Sequence, residues 1–321
     1  CEVVGNDLQW SACQGQVLPD LQVDDCNDPD IDSDCDGNPS CGHAQWAWPI
    51  TGPDAQHLAA VAVAGDGMIY ALGRFRGQLT LDQFTLPAPG LETHTFVAKF
   101  APGGNVLAIR SLGSGLDDEL ELALRGNDQL LVLATQIGAF AIDGCQHAPP
   151  VDPDVLVLDL GPGLQCNNSA VFGGPGPQRP SGLAVGGDTL HVIGAFAGAF
   201  AGLETPPNED AAFLLALSPA LQLQTAERLG TGWGVHEASR PAIAASATGS
   251  AFALVFSGQL ALDNQLHTAG PNASTLLVRR DAGGVQQWAT VVADHPVDPL
   301  PGFGLALDPL GRVTLARPHD G

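Results

Sequence analysis

Ala60-Val-Ala-Val-Ala-Gly-Asp-Gly-Met-Ile-Tyr-Ala-Leu-Gly73 is an alternating apolar run, a Gly/Asp turn and a second apolar run. That order of residues reads as two antiparallel strands joined by a tight turn. The pattern returns at 120–133, 182–194, 242–254 and 304–315. With Val63, Ala123, Ala184, Ala244 and Ala306 taken as equivalent, the spacings are 60, 61, 60 and 62 residues. A period of that length, written four times and begun a fifth time, decides the architecture before any motif is consulted.

A second hairpin follows at a similar offset in each full copy. Its first strand reads Thr95-Phe-Val-Ala-Lys-Phe100, Asp154-Val-Leu-Val-Leu-Asp-Leu160, Ala212-Phe-Leu-Leu-Ala-Leu217 and Thr275-Leu-Leu-Val-Arg-Arg280. Its turn reads Ala101-Pro-Gly-Gly104, Gly161-Pro-Gly-Leu164, Ser218-Pro-Ala-Leu221 and Asp281-Ala-Gly-Gly284, all rich in turn formers. Four strands per unit fit an all-β fold, a β-propeller of four-stranded blades, in preference to a solenoid. The expected blades are 53–113, 114–174, 175–232 and 233–293, with a partial fifth at 294–321; residues 44–321 form the propeller and 1–43 a separate Cys/Asp-rich module. Gln45-Trp-Ala-Trp-Pro-Ile-Thr-Gly52 matches the fourth-strand segments, so a ring could close by its pairing with the last blade. Without a third strand in the last copy, the reading leans to the alternative, a fragment of a longer protein with residue 321 an artificial end.

Composition narrows the function. The 321 residues are 45% hydrophobic and include 40 Gly and 25 Pro, as expected for a folded chain rich in turns. A formal charge of −23 argues against nucleic acid and anionic membrane as partners and favours cations. No apolar stretch reaches the length of a membrane span, and the start at Cys1 reads as a mature or trimmed form. Five of the seven cysteines fall in the first 41 residues, which points to disulfides and an oxidising compartment. A zinc module is the weaker reading, because no C-x-x-C pair is present. Cys145 and Cys166 stand apart and are expected to bridge each other across the second copy.

The stretch 65–73, Phe75-Arg-Gly77, Thr95-Phe-Val-Ala-Lys-Phe100, Pro102-Gly-Gly-Asn105 and Leu112-Gly113 resemble the bacterial seven-bladed-propeller repeat family of secreted and surface proteins. The resemblance covers roughly residues 45 to 321 and implies a cell-surface or extracellular propeller with no catalytic residues to carry over. Cys13-Gln-Gly-Gln-Val-Leu-Pro19, Cys26 and Asp32-Ser-Asp-Cys-Asp-Gly37 resemble a Cys/Asp motif of MopE-type surface proteins, which implies metal binding. The Glu usual before the middle cysteine is absent; Asp24 and Asp25 stand nearby.

The strongest site signal is Asp28-Pro-Asp-Ile-Asp-Ser-Asp-Cys-Asp-Gly37. Asp32, Asp34 and Asp36 with Gly37 reproduce the opening of a calcium loop, in which hard carboxylate oxygens alternate and glycine permits the turn. The twelfth position from Asp32 is His43, not Glu, so the segment is no EF-hand; Asp28 or Asp30 and a backbone carbonyl complete the expected shell. The competing reading is a solvated acidic linker. Copper is the lesser candidate, since it prefers imidazole or thiolate and His43 is the one histidine nearby.

Loops leading into successive blades carry Asp54 and His57, Asp117, Asp118 and Glu119, Arg179, His236, Glu237 and Arg240, then Asp294, His295 and Asp298. On a propeller they share one face, where a hydrolase or lyase site could form. Neither H-E-x-x-H nor G-x-S-x-G occurs. Trp46, Trp48, Trp233 and Trp288 are expected to pack between blades. These features together favour a non-enzymatic binding or assembly module at the outer cell surface. A protein or polysaccharide is its expected partner, self-assembly or a filament the alternative, and calcium its structural ion.

Overall fold

The computed structural model describes residues 46–88, 90–126, 129–205, 210–230, 241–270, 273–295 and 304–316, without the side chains of Asp118 and of 293–295. The chain divides into two units, Cys1–Trp48 and Pro49–Gly321, and the second carries all the described strands. It is all-β, with no helix among the described residues.

Four sheets recur. Their strands are Gln56–Val63, Ile69–Arg76, Thr93–Phe100 and Val106–Gly113 in the first, and Leu116–Arg125, Gln129–Gln136, Asp154–Leu160 and Cys166–Phe172 in the second. The third has Gln178–Gly186, Thr189–Ala197, Asp210–Leu217 and Leu223–Leu229, and the fourth Ala242–Ser246, Gly249–Phe256, Ala273–Asp281 and Gln286–His295. Each is an antiparallel meander whose strands lie in chain order. A two-stranded fifth sheet, Gly304–Leu307 with Val313–Ala316, ends the series.

The turns join the strands as the Gly/Asp and Pro/Gly signals require. Gly67 N–H bonds Ala64 O at 2.9 Å, and Gly104 N–H bonds Ala101 O at 2.9 Å. Leu164 and Leu221 occupy the left-handed turn position that Gly104 and Gly284 hold elsewhere. Both leucines are buried, at 0% and 3% exposure, so packing of the side chain outweighs a backbone cost of about 1–2 kcal/mol.

Successive sheets pack face to face. In Leu130-Leu-Val-Leu-Ala134, Leu130, Val132 and Ala134 join the core shared with the first sheet, while Leu131 and Leu133 join the core shared with the third. A strand buried on both faces loses its polar alternation, and here the run is continuously apolar. The first strands of consecutive sheets lie side by side along the series. On these strands small residues face the following sheet and mostly larger aliphatic ones the preceding sheet. Ala60 shares a core with Leu122 and Leu124, Ala123 with Leu183 and Val185, and Ala184 with Ile243 and Ala245.

Three expectations change. The pairing registers place Ala62, not Val63, with Ala123, Ala184 and Ala244, because Ala62 faces Tyr70 as Ala123 faces Leu131. A one-residue slip exchanges the two faces of a strand, and Val63 points the opposite way. The expected closing strand is absent from 46–50; Thr51 instead pairs with Thr80, N–H to O at 3.0 and 2.7 Å. Pro49, with no N–H to give, interrupts any ladder there. Trp288 is 40% exposed, so it is not enclosed between sheets. Among the described residues the sheets do not close into a ring.

Candidate functional site

Between the second and third strands of every full sheet the chain inserts a short hairpin. The four are Gln78–Leu81 with Phe84–Pro87, Phe140–Ile142 with Cys145–His147, Ala199–Phe200 with Leu203–Glu204, and Gln259–Leu262 with Gln265–Thr268. Their tips hold Asp82, Asp143, Ala201 and Asp263 in the left-handed region, which Asp tolerates better than most residues. Asp143 and Asp263 use that position to fasten neighbouring strands. Asp143 Oδ1 accepts from Arg110 Nη2 at 2.5 Å, on the fourth strand of the first sheet, and its Oδ2 accepts the Cys166 N–H at 3.1 Å. Arg280, 5% exposed, donates to both oxygens of Glu227 on the preceding sheet, at 2.5 and 2.7 Å, and to Asp263 Oδ2 at 2.8 Å.

Further polar contacts run from one sheet to the turn of the next. Lys99 Nζ donates to Pro162 O at 3.1 Å, Arg125 Nη1 to Pro219 O at 2.8 Å and Asn168 Nδ2 to Ala220 O at 2.9 Å. Arg125 also donates to Asp159 Oδ2 at 2.7 Å. Burial raises the Asp159 carboxyl above the usual range, and Arg125 pulls it partly back. The Asp143 and Glu227 carboxylates thus join adjacent sheets through guanidinium groups, and Asp159 and Asp263 hold theirs within one sheet.

The expected bridge between Cys145 and Cys166 is present. It ties the short hairpin of the second sheet to that sheet's fourth strand, beside the Asp143 contacts. A closed loop of this size stabilises by about 3 kcal/mol in the chain-entropy view. Replacing both cysteines by serine is therefore expected to lower stability by about that amount, read from urea unfolding under non-reducing conditions. A midpoint equal to that of the parent would show the bridge to be idle.

Asp28, Asp30, Asp32, Asp34 and Asp36 lie outside the described residues, as do His236, Glu237, Arg240, Asp298 and the side chains of Asp118, Asp294 and His295. Of the remaining loop residues, Asp54, His57 and Arg179 are exposed, and Asp117 and Glu119 half-buried. His57 and Arg179 sit opposite equivalent positions, Arg74 and Ala195, in their second strands. Glu119 accepts from the hydroxyl of Thr135, the counterpart of those two, at 3.1 Å. The three thus mark one level on adjacent first strands. Among the described residues no group of three or more His, Cys, Asp and Glu is placed to hold a metal ion, and no helix is long and apolar enough to cross a membrane.

His191 stands where Tyr70, Leu131 and Ala251 stand in the other sheets. Its Nδ1 is buried with no hydrogen-bond partner, and burial pulls its pKa down. The unfolded chain then binds the proton more tightly, so stability is full above about pH 6.5 and falls as the pH drops towards the lowered folded value. His191→Leu is expected to flatten this acid-side decline in urea midpoints. Unchanged dependence on pH would exclude His191 as a source. His147, also lowered by burial, retains its own share.

No family model matches the chain, and no curated protein matches it.

Proposed function

We propose that this chain is a β-propeller-type repeat protein of the outer cell surface or extracellular space. In this reading it acts without catalysis as a binding or assembly module, and it carries a structural calcium ion. The observation that supports the reading is the series of four-stranded meanders stacked face to face with their first strands adjacent, since blades of a propeller are four-stranded meanders. Ion pairs between sheets favour a rigid scaffold. The Cys145–Cys166 bridge supports an oxidising compartment. The partner in this reading is a protein or polysaccharide met by an acidic surface.

Calcium is assigned to Asp28, Asp30, Asp32, Asp34 and Asp36, on the alternation of carboxylates and the glycine at 37. It would neutralise their mutual repulsion and order the segment ahead of the sheets. The test is a thermal melt with and without chelator, paired with elemental analysis. Calcium at a hundredfold excess over Kd is expected to add about 3 kcal/mol to the unit that binds it. Asp34→Asn with Asp36→Asn should abolish that gain. An unchanged melt with no bound metal would sink the calcium assignment.

A further inference from the structure

The contact between first strands repeats one chemical rule, and the two ends of the series present its unmatched halves. At the junction of the third and fourth sheets, Gly182-Leu-Ala-Val185 offers small residues to Ile243 and Ala245. The fit is close: a Cβ added at Gly182 would stand 3.1 Å from Ile243 Cγ2, and one at Gly186 would stand 2.9 Å from Ser246 O. The fifth sheet writes the same motif as Gly304-Leu-Ala-Leu307. There Leu305 and Leu307 are half-buried, while Gly304 and Ala306 are exposed. At the other end Val61 and Val63, the counterparts of Ile243 and Ala245 by pairing register, are 53% and 64% exposed. Within one chain these two faces therefore do not cover each other.

We propose that they cover each other between copies: Gly304 and Ala306 of one molecule dock on Val61 and Val63 of a second. The interaction is head-to-tail, so it leaves a free face at each end and generates open rows or larger rings. It continues the sheet-to-sheet interface already formed inside the chain, with small residues against branched aliphatics. It deepens the assembly part of the reading above and rests on the stacked sheets alone, so the calcium assignment can fail without affecting it. Two valines of one strand make a small contact, and such an interface falls in the weak class, below about 1,200 Å².

Mixing separates this contact from every other. The unaltered 321-residue chain is expected to show a weight-average mass that rises with concentration in sedimentation equilibrium, up to about 0.5 mM. Val61→Glu has no working head and Ala306→Glu no working tail, so each alone should remain monomeric. Mixed in equal amounts, they should form a dimer and stop there, because the intact tail of the first fits the intact head of the second. Val63→Glu serves as a second head variant if Val61→Glu disturbs folding, which circular dichroism reports. A parent that stays monomeric throughout would overturn the proposal. So would single variants that assemble like the parent, or a mixture that stays monomeric while the parent assembles.

Discussion

Replacing Arg280 by leucine is expected to leave stability unchanged or to raise it, whereas removing its two acids is expected to cost about 2–4 kcal/mol. Arg280 takes the register position that Phe100, Leu160 and Leu217 hold in the other sheets. Those three are 6%, 0% and 0% exposed, so the fold at this point accepts an apolar side chain. In the fourth sheet a guanidinium occupies the place, 5.2 Å over the Phe252 ring, with its Nε buried and unpartnered. Burial pulls its pKa down, and the bonds and charges of Glu227 and Asp263 more than reverse that, leaving it above its ordinary value. The charge is therefore held by its partners, not by water. Glu227→Ala with Asp263→Ala strands it, and breaking a buried pair from one side is the costly direction. Arg280→Leu frees two carboxylates whose side chains are 37% and 35% exposed and can rehydrate, which keeps the cost near zero. Urea unfolding of the variants decides the matter. If Arg280→Leu proved as damaging as loss of both acids, the pair would have to contribute net stability.

The strands of this protein were legible because their period survives in the sequence, and the faces were not. In Ala60-Val-Ala-Val-Ala64 both alternating sets are apolar, so nothing polar marks which one faces the following sheet. Only pairing with Tyr70 and Ala71 settles that Ala62 does. The short hairpins were hidden for a different reason. Strands of two to four residues around Leu81-Asp-Gln83 or Ile142-Asp-Gly144 carry too few positions for periodicity to show. Asp-Gly and Asp-Asn at their tips were the available turn signals. Arg280 was unreadable as a core residue, since Arg279-Arg-Asp281 resembles a charged run beside a turn. Its meaning depends on Glu227, more than fifty positions away. The Cys145–Cys166 bridge was legible because two cysteines stood apart from the N-terminal five.

Gly194→Ala is expected to cost about 3 kcal/mol, although alanine suits a strand better than glycine by about 0.5–1 kcal/mol. A Cβ at Gly194 would lie 2.3 Å from Arg179 O and 2.7 Å from Phe213 Cζ. Gly73 repeats the geometry in the first sheet, 2.3 Å from His57 O and 2.7 Å from Phe96 Cε1. The other two sheets have no ring at this place: Ala134 faces Leu156, and Leu254 faces Leu276. In the first and third sheets a missing side chain on the second strand thus makes room for a ring on the third. Phe213 cannot retreat easily, since it is fully buried with ring centroids 4.8 Å from Phe200 and 6.2 Å from Phe196. Relief must come from the strand itself or from Phe213. Adding Phe213→Leu to Gly194→Ala removes the ring clash and leaves the carbonyl contact, so the double variant should be more stable than the sum of the two changes by about 1 kcal/mol or more. Strict additivity in urea unfolding would show that Phe213 does not set the limit at Gly194. A cost for Gly194→Ala below about 0.5 kcal/mol would show that the first strand yields freely at Arg179.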